Sequence, residues 1–454
     1  MSLRVAVIGS GPAGFYAAGS LLAADRGIDV DMIERLPTPW GLVRLGVAPD
    51  HPNIKAVSRA FEKIAARPGF RFLGNVDVGR DLAHEELVSL YDAVVYAVGA
   101  QSDRRMDVEG EDLPGSWPAT AFVAWYNGHP DFQDCEFDLD VERAVVIGNG
   151  NVAVDVARML ALTPEELSPT DTTDAAIAAI AGSPVREIVM LGRRGPAQAA
   201  FTTPELKELG ELAGADVIVD PADLELDPVS EAALEGDTNA QRNLEVLREY
   251  AAREPEGKGK RLVLRFLVSP VEIAGEGRVE SVEVVRNRLE ADARGRLAAV
   301  ATDERETIPA GLVLRSVGYR GVPVPGVPFD EDRGTIRNEE GRALDAEGRR
   351  VSRVYAAGWI KRGPSGVIGT NKKDAAETVK LLLEDLDSGA LEPHGDSSAE
   401  AVDALLDERG VERVLYAGWT AIDEAERTAG EPHGRPRVKL CTWRELLEAA
   451  AARA

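Results

Sequence analysis

Cysteine is nearly missing from this 454-residue chain: Cys135 and Cys441 stand alone, far apart, with no Cys-x-x-Cys pair anywhere. That excludes a redox dithiol built on neighbouring cysteines and any four-cysteine iron–sulfur or zinc site. Positive charge is scarce as well. Lysine and arginine total 52 against 77 aspartates and glutamates, a formal net charge of −25. Such a balance argues against non-specific binding to nucleic acid or to an anionic membrane surface. The stretch from Val5 to Ala24 carries no charge and is long enough to raise the question of a membrane span. Four glycines and Pro12 interrupt it, so it reads as strand, turn and helix instead. Met1 runs directly into that strand, which predicts no leader segment and a cytoplasmic location. The length predicts two or three domains, ample to bury a large core.

What the chain does hold is glycine in two particular places. Gly9-Ser10-Gly11-Pro12-Ala13-Gly14 follows the apolar run Arg4-Val5-Ala6-Val7-Ile8 and precedes a helical stretch. Gly148-Asn149-Gly150-Asn151-Val152-Ala153 follows Ala144-Val145-Val146-Ile147 in the same way. In such a turn the first glycine permits a tight bend, and the second lets backbone approach a pyrophosphate. The third position, Gly14 or Ala153, keeps helix and strand close. The pyrophosphate then sits on the partial positive charge of the helix N-terminus. One such turn is weak support for nucleotide binding; two, each in the right context, predict two bound dinucleotides and therefore redox chemistry.

The residues that follow tell the two nucleotides apart. Ile28 to Ile33 reads as the second strand of the first unit and ends in Glu34, 20 positions past Gly14. A carboxylate there accepts hydrogen bonds from ribose hydroxyls and repels a 2′-phosphate, so the first site suits FAD or NAD. The corresponding strand of the second unit, Val185 to Leu191, ends in Gly192-Arg193-Arg194. Two guanidinium forks suit a dianionic phosphate, because arginine binds its oxygens bidentately and stays charged. The second site is therefore expected to prefer NADP.

The order of segments predicts an α/β fold with two dinucleotide-binding, Rossmann-like domains, the NADP domain inserted into the FAD domain. Helix is expected around Ile54 to Ala66, and strands at Phe70 to Leu73 and Ala93 to Val98. The latter is an all-apolar run of the kind buried in a parallel sheet. Leu312 to Gly318 and Arg353 to Trp359 read as comparable runs, and Lys373 to Leu386 as helix. The expected boundaries are 1–104 and 330–454 for the FAD domain and 105–329 for the NADP domain. Glu254 to Lys260 reads as an exposed loop, and Thr163 to Pro184 as an insertion.

Several motifs carry a resemblance that spans nearly the whole chain. They are Gly-Pro-Ala-Gly-Phe-Tyr at 11–16, Trp-Gly-Leu-Val-Arg at 40–44, Gly-Val-Ala-Pro-Asp-His-Pro at 46–52 and Gly-Asn-Val-Asp-Val-Gly-Arg-Asp at 74–81. Further on come Gly-Asn-Val-Ala-Val-Asp-Val-Ala-Arg at 150–158, Gly-Arg-Arg-Gly-Pro at 192–196 and Gly-Trp-Ile-Lys-Arg-Gly-Pro-Ser-Gly-Val-Ile at 358–368. Together they resemble the adrenodoxin reductase family of ferredoxin-NADP reductases. The resemblance implies non-covalent FAD, NADPH as hydride donor and a ferredoxin-type iron–sulfur protein as one-electron acceptor. Carried over residue by residue, it implies FAD contacts from Ala13, Glu34, Leu42, Val78, Trp359, Gly366, Val367 and Ile368. For NADP it implies Arg104, Asn149, Gly150, Asn151, Val152, Arg193, Arg194 and Glu205, with Gly366 near the nicotinamide. Trp359 stands where many related flavoproteins carry an acidic residue, a departure the family shares. Residues 232–262 and the tail past Leu391 match only loosely, and no role transfers to them.

The resemblance also points to His51 and Asp155 near the reacting rings as a proton-handling pair. The competing reading is that His51, beside Pro52, is an ordinary loop residue. An acidic ferredoxin and a chain of net charge −25 repel unless the latter presents a local positive face. Residues 242–265 hold 7 basic and 4 acidic side chains, and Arg242 and Arg248, six apart on an expected helix, are candidates for that face. A solvated helix with offsetting charges is the alternative. Two other functions stay open: an NADPH- and FAD-binding redox sensor, or the electron-input subunit of a larger complex. A flavin-dependent disulfide reductase is disfavoured by the cysteine inventory unless Cys135 and Cys441 meet in space.

Overall fold

Both glycine turns join the central strands of parallel sheets to the helices that cover them. The computed structural model describes residues 3–291, 297–394 and 397–452, and these fall into two units. The first comprises residues 1–104, 127–130 and 318–454; the second comprises 105–126 and 131–317.

The first unit is built on a seven-stranded sheet in the order Asn338–Glu339, Arg342–Leu344, Arg350–Ala356, Ala93–Tyr96, Leu3–Ile8, Ile28–Ile33 and Phe70–Leu73. The last five run parallel, with Val5 opposite Val30 and Ala93, and Val354 opposite Val94. Alternation along these strands sends Val5, Val7, Val30, Met32 and Val95 to one face, where they meet Phe15, Ala18 and Leu21 of helix Pro12–Leu22. Val379 and Leu382 of the long helix Ile368–Ser388 join the same cluster. Ala6, Ile8, Val94, Tyr96 and Val354 pack on the other face with Leu87, Val402 and Leu406. Apolar side chains on both faces are what a parallel sheet covered by helices requires, and they explain why these strands read as continuous apolar runs. Trp419 and Ile422, from helix Tyr416–Gly430, lie within the first cluster. The tail past Leu391 is thus part of this unit's core.

The second unit has a six-stranded, all-parallel sheet in the order Ser116–Pro118, Leu312–Arg315, Arg143–Ile147, Glu187–Gly192, Lys260–Phe266 and Ala215–Val219. Ala144, Val146, Ile188, Met190 and Leu314 face helices, among them Asn151–Ala161. Val145, Ile147, Val189 and Val313 face the other way, against Val282, Val284 and Ile308. These last belong to an antiparallel three-stranded sheet, Val268–Ala274, Ser281–Ala291 and Leu297–Pro309. A sheet, not a layer of helices, covers this face, a feature the sequence reading did not contain.

The chain returns to the first unit at Gly318, earlier than the expected 330. Tyr319–Arg320 pairs antiparallel with Ser102–Asp103, and the Arg104 N–H donates to the Gly318 carbonyl at 2.9 Å. No composition break marks that point, since the contact that defines it joins residues more than 200 positions apart. The loop 254–259 is exposed for most of its length, yet it is anchored: the Asp216 carboxylate accepts the N–H groups of Glu256, Gly257 and Lys258 at 2.9 to 3.0 Å. The stretch 163–184 forms two short helices, Pro164–Leu167 and Asp174–Gly182. Among the described residues no helix is long and apolar enough to cross a membrane.

Candidate functional site

The first turn is shaped by what its glycines exclude. Gly9 has φ +99°, and a Cβ on it would lie 2.7 Å from the Ala97 carbonyl oxygen. A Cβ on Gly14 would lie 2.0 Å from the Gly9 carbonyl oxygen, so only glycine lets helix Pro12–Leu22 seat on its strand. Gly11 differs: a Cβ there would meet nothing within 4 Å. Its missing side chain leaves open space at the N-terminus of a helix that has no acidic residue in its first turn and no side-chain cap. That is the cradle a pyrophosphate needs, since the leading N–H groups of a helix are otherwise without partners.

Glu34 emerges at the end of the next strand and reaches back to this turn. Ser10 donates to it through N–H at 2.9 Å and through its hydroxyl at 2.6 Å, and the Leu36 N–H donates at 3.1 Å. The carboxylate therefore ties the turn to the strand tip, and its remaining lone pairs are those a ribose hydroxyl would use. Leu42 opens the short helix Leu42–Leu45 and is 47% exposed; Val367, the N-cap of helix Ile368–Ser388, is 58% exposed. Both are large apolar side chains on the surface of the first unit, and Trp40 Nε1 is buried without a hydrogen-bond partner among the described residues. Val78 is half-buried against the second core cluster of the unit.

The segment after strand Arg350–Ala356 comes close to the turn. Gly358 has φ +78°, and a Cβ there would lie 2.5 Å from the Ala13 Cβ. Trp359 stacks on Tyr319, with ring centroids 5.9 Å apart and planes 11° from parallel. Its indole N–H donates to the Ser365 carbonyl at 3.2 Å. Gly366 has φ +80°, and the Thr370 hydroxyl accepts the Val367 N–H at 3.2 Å. Asp374 accepts the Gly358 N–H and pairs with Lys361 at 3.2 Å, both side chains being buried. Asn371 accepts from Arg362 Nη2 at 3.1 Å. The sequence reading missed Lys361, Asn371 and Asp374. Polar residues at core-facing, three-apart positions of an otherwise amphipathic helix were the available signal.

The second turn repeats the first. Gly148 has φ +140°, and a Cβ there would lie 2.3 Å from the Ser316 carbonyl oxygen, whereas one on Gly150 would meet nothing within 4 Å. Ala153 is fully buried, consistent with its place between helix and strand. Asn151 Oδ1 accepts the Thr202 N–H at 2.8 Å, fixing the start of the helix. Asn149 Nδ2 is buried without a hydrogen-bond partner among the described residues. Val152 is half-buried against the helical core.

Arg193 and Arg194 lie just beyond strand Glu187–Gly192. Their carbonyl oxygens are held by Asn287 Nδ2 at 2.9 Å and the Leu267 N–H at 3.1 Å. Among the described residues neither guanidinium has a carboxylate partner. Burial first, and then the neighbouring Arg193, push the Arg194 guanidinium below its ordinary pKa. In a chain with 77 acidic residues, two adjacent arginines left in mutual repulsion point to an anion that is not a side chain. The residues fit a 2′-phosphate. Arg104 is exposed at the end of the first stretch of unit one.

His51 belongs to the first unit and Asp155 to the second. His51 is buried and precedes helix Pro52–Lys55, its carbonyl accepting the Ile54 and Lys55 N–H groups. Asp155 sits on helix Asn151–Ala161 and accepts from Arg158 Nη2 at 2.9 Å. Arg158 also pairs with Glu208 and, at 3.7 Å, with Glu205. Arg242 and Arg248 are both exposed on helix Thr238–Ala251. Cys135 and Cys441 are free thiols, one in each unit. Burial pushes the Cys441 thiol up to about 11, so at neutral pH it is protonated and a poor nucleophile.

Two open glycine cradles, one closed by a carboxylate and the other by unpaired arginines, in a chain without a dithiol, define an oxidoreductase of the two-dinucleotide class. Residues 3–189 match the family described as "Pyridine nucleotide-disulphide oxidoreductase". The chain is 53% identical over 451 residues to "NADPH-ferredoxin reductase FprA" of Mycobacterium leprae, covering 98% of this chain and 97% of that protein. It is 39% identical over 462 residues to the mitochondrial "NADPH:adrenodoxin oxidoreductase" of Arabidopsis thaliana, covering 99% and 95%. The solved structure "Mycobacterium tuberculosis FprA in complex with NADPH" superposes with a TM-score of 0.94 at 52% identity, covering 99% of this chain and all of that one. The chain belongs to the NADPH-ferredoxin and adrenodoxin reductase family.

Proposed function

We propose that this protein is a ferredoxin-NADP reductase: it takes hydride from NADPH onto FAD and passes the electrons one at a time to a ferredoxin-type iron–sulfur protein. The observation that carries the reading is the difference between the two cradles. Glu34 closes one strand tip, whereas Arg193 and Arg194 stand at the other without acidic partners among the described residues. The names of the relatives, NADPH-ferredoxin reductase and NADPH:adrenodoxin oxidoreductase, support the same donor and acceptor.

In this reading the first unit holds FAD and the second NADP. When bound, the flavin supplies the conversion of a two-electron hydride into single electrons. The chain's own task is to bind, orient and exclude water. Gly9, Gly11, Ala13 and Gly14 form the pyrophosphate cradle, and Glu34 takes the ribose hydroxyls. Leu42, Val78, Trp359, Gly366, Val367 and Ile368 form the walls that shed water from the ring. Asn149, Gly150, Asn151 and Val152 cradle the NADP pyrophosphate. Arg193 and Arg194 hold its 2′-phosphate, with Arg104 and Glu205 contributing at the edges. His51 and Asp155 are proposed to hold and release the protons that accompany the electrons; Arg158 orients the Asp155 carboxylate. Arg242 and Arg248 form part of the surface offered to an acidic ferredoxin. A cytoplasmic location is proposed with these roles, and recovery in a membrane fraction would refute it.

Anaerobic addition of NADPH to the purified holoprotein should bleach the flavin absorbance, and subsequent addition of an oxidised ferredoxin should restore it. A protein that bleaches but reduces neither ferredoxin nor a one-electron dye is a sensor and not a reductase. Reversing charge at Arg242 and Arg248 should slow ferredoxin reduction at low salt and flatten its salt dependence; an unaltered rate would place docking elsewhere.

A further inference from the structure

The loop Trp40–Leu42 is held in an unfavourable shape directly against the first glycine turn. Trp40 has φ +86°, in the left-handed region that a bulky side chain avoids, and Gly41 follows with φ +50°. The Trp40 N–H donates to the Ser10 carbonyl at 3.0 Å, and a Cβ on Gly41 would lie 2.9 Å from the Gly11 Cα. This loop therefore packs directly against the Gly11 backbone, beside the open space at that turn. Left-handed strain at a non-glycine residue persists only where surrounding structure over-determines it.

The structure that does so comes from the far end of the chain. Arg44, in the helix that follows the loop, is buried and forks onto Glu426 of helix Tyr416–Gly430, with Nη1 to Oε2 at 2.8 Å and Nη2 to Oε1 at 2.5 Å. Glu426 is fully buried and also accepts the Leu440 N–H at 2.9 Å and Arg437 Nη1 at 3.1 Å. Arg437 is shared with Asp423 at 2.7 Å. The Arg44 guanidinium lies 5.3 Å from the centre of the Trp419 ring, and Trp419 meets Trp40 edge-on with centroids 4.8 Å apart. Lys439 Nζ donates to the Arg44 carbonyl at 3.3 Å. Besides the Ser10 carbonyl, the groups that hold Trp40 and Arg44 here, Trp419, Glu426 and Lys439, all come from the C-terminal segment between residues 419 and 440.

We propose that Glu426 is a positioning residue for the FAD site: by orienting Arg44 it holds the Trp40–Leu42 loop against Gly11, so that the C-terminal segment sets how tightly the flavin nucleotide is held. The proposal rests on reading the first cradle as the FAD site. A bidentate fork fixes direction as well as distance, which packing of Trp40 against Trp419 alone does not. A buried pair is a costly way to gain stability, because two charges must leave water; its use here fits a device that specifies geometry.

The test compares FAD affinity with fold stability. Wild type, Glu426→Gln and Arg44→Lys are stripped of flavin and titrated with FAD, following flavin fluorescence, with thermal unfolding of each apoprotein in parallel. A double variant, Arg44→Met with Glu426→Leu, removes both charges of the fork, while Arg437 keeps its pairing with Asp423. The dissociation constant for FAD should rise at least about tenfold in Glu426→Gln and in the double variant. Arg44→Lys, which keeps charge without the fork, should lie between. Binding of adenosine 2′,5′-bisphosphate to the second cradle should be unchanged throughout. The double variant decides between positioning and mere support: its apoprotein should unfold near the wild-type temperature while FAD stays weakly held. Wild-type affinity in the double variant, or affinity losses that vanish once stability is regained, would overturn the proposal. Failure of the wild-type chain to take up FAD would sink the reading of the first cradle, and the proposal with it.

Discussion

Replacing Arg193 and Arg194 by alanine together should convert a reductase that prefers NADPH into one that scarcely distinguishes it from NADH. Neither side chain has a carboxylate partner among the described residues, so their removal strands no acidic group. Removal also ends the burial of a charged group and, after it, the repulsion from Arg193 that together lower the Arg194 pKa. Melting temperature should therefore stay level or rise slightly. The functional cost is different. A charge-assisted hydrogen bond contributes about 1.5 to 3 kcal/mol, and the exposure of Arg193 argues for the lower end. Two contacts at about 1.5 kcal/mol each amount to about 3 kcal/mol, on the order of a hundredfold in kcat/KM for NADPH. NADH, which has no 2′-phosphate, should be little affected. Anaerobic stopped-flow bleaching of the flavin by each nucleotide measures both values. The wild-type preference should weaken with salt as screening grows, and the variant should lose most of that dependence. A fall of less than about tenfold in the NADPH to NADH ratio would show that the arginines do not read the phosphate.

The glycines separate folding from binding. Gly11→Ala and Gly150→Ala place a methyl group where nothing among the described residues lies within 4 Å, so both proteins should fold normally while losing FAD and NADPH binding respectively. Gly14→Ala, with its Cβ 2.0 Å from a carbonyl oxygen, should instead yield little folded protein; circular dichroism and flavin content distinguish the cases. Replacing Cys135 and Cys441 by serine should leave NADPH-dependent ferredoxin reduction intact, and loss of turnover would revive dithiol chemistry. Stability should fall in acid partly through Glu426. Burial pushes its carboxyl up, but Arg44 and Arg437 outweigh that and hold it below the ordinary 4.5. A depressed carboxylate contributes stability above its unfolded value and loses it as pH falls through the folded one. Wild type should therefore lose stability progressively below about pH 4.5, and Glu426→Gln should show a shallower loss over that window in chemical denaturation.

Much of the site could be read before any coordinates because its determinants are local. A glycine turn between an apolar strand and a helix occupies six consecutive residues, and the strand that delivers Glu34 or Arg193 follows within one βαβ unit. Period and turn chemistry act over such distances, so the strand–turn–helix units around Gly9 and Gly148 were legible from the sequence. The roles of His51 and Asp155 were not: they lie in different units, and nothing in the residues around either one states what it faces. Cys135 and Cys441 are likewise known as free thiols only from the structure.

Sequence alone determined the chemistry of each cradle: which glycine must be bare, which tip carries a carboxylate and which carries arginines. Tertiary structure alone decided what closes around them. The sheet of strands between Val268 and Pro309 covers a face where helices were the default expectation. The chain re-enters its first unit at Gly318 through a pairing with Ser102–Asp103. Glu426 meets Arg44 across 382 positions of sequence. The physical reason is common to all three. Hydrophobic burial is non-directional, and a buried charge must find a partner wherever the fold supplies one. Neither leaves a periodic mark in the chain, so both become visible only when distant segments are brought together.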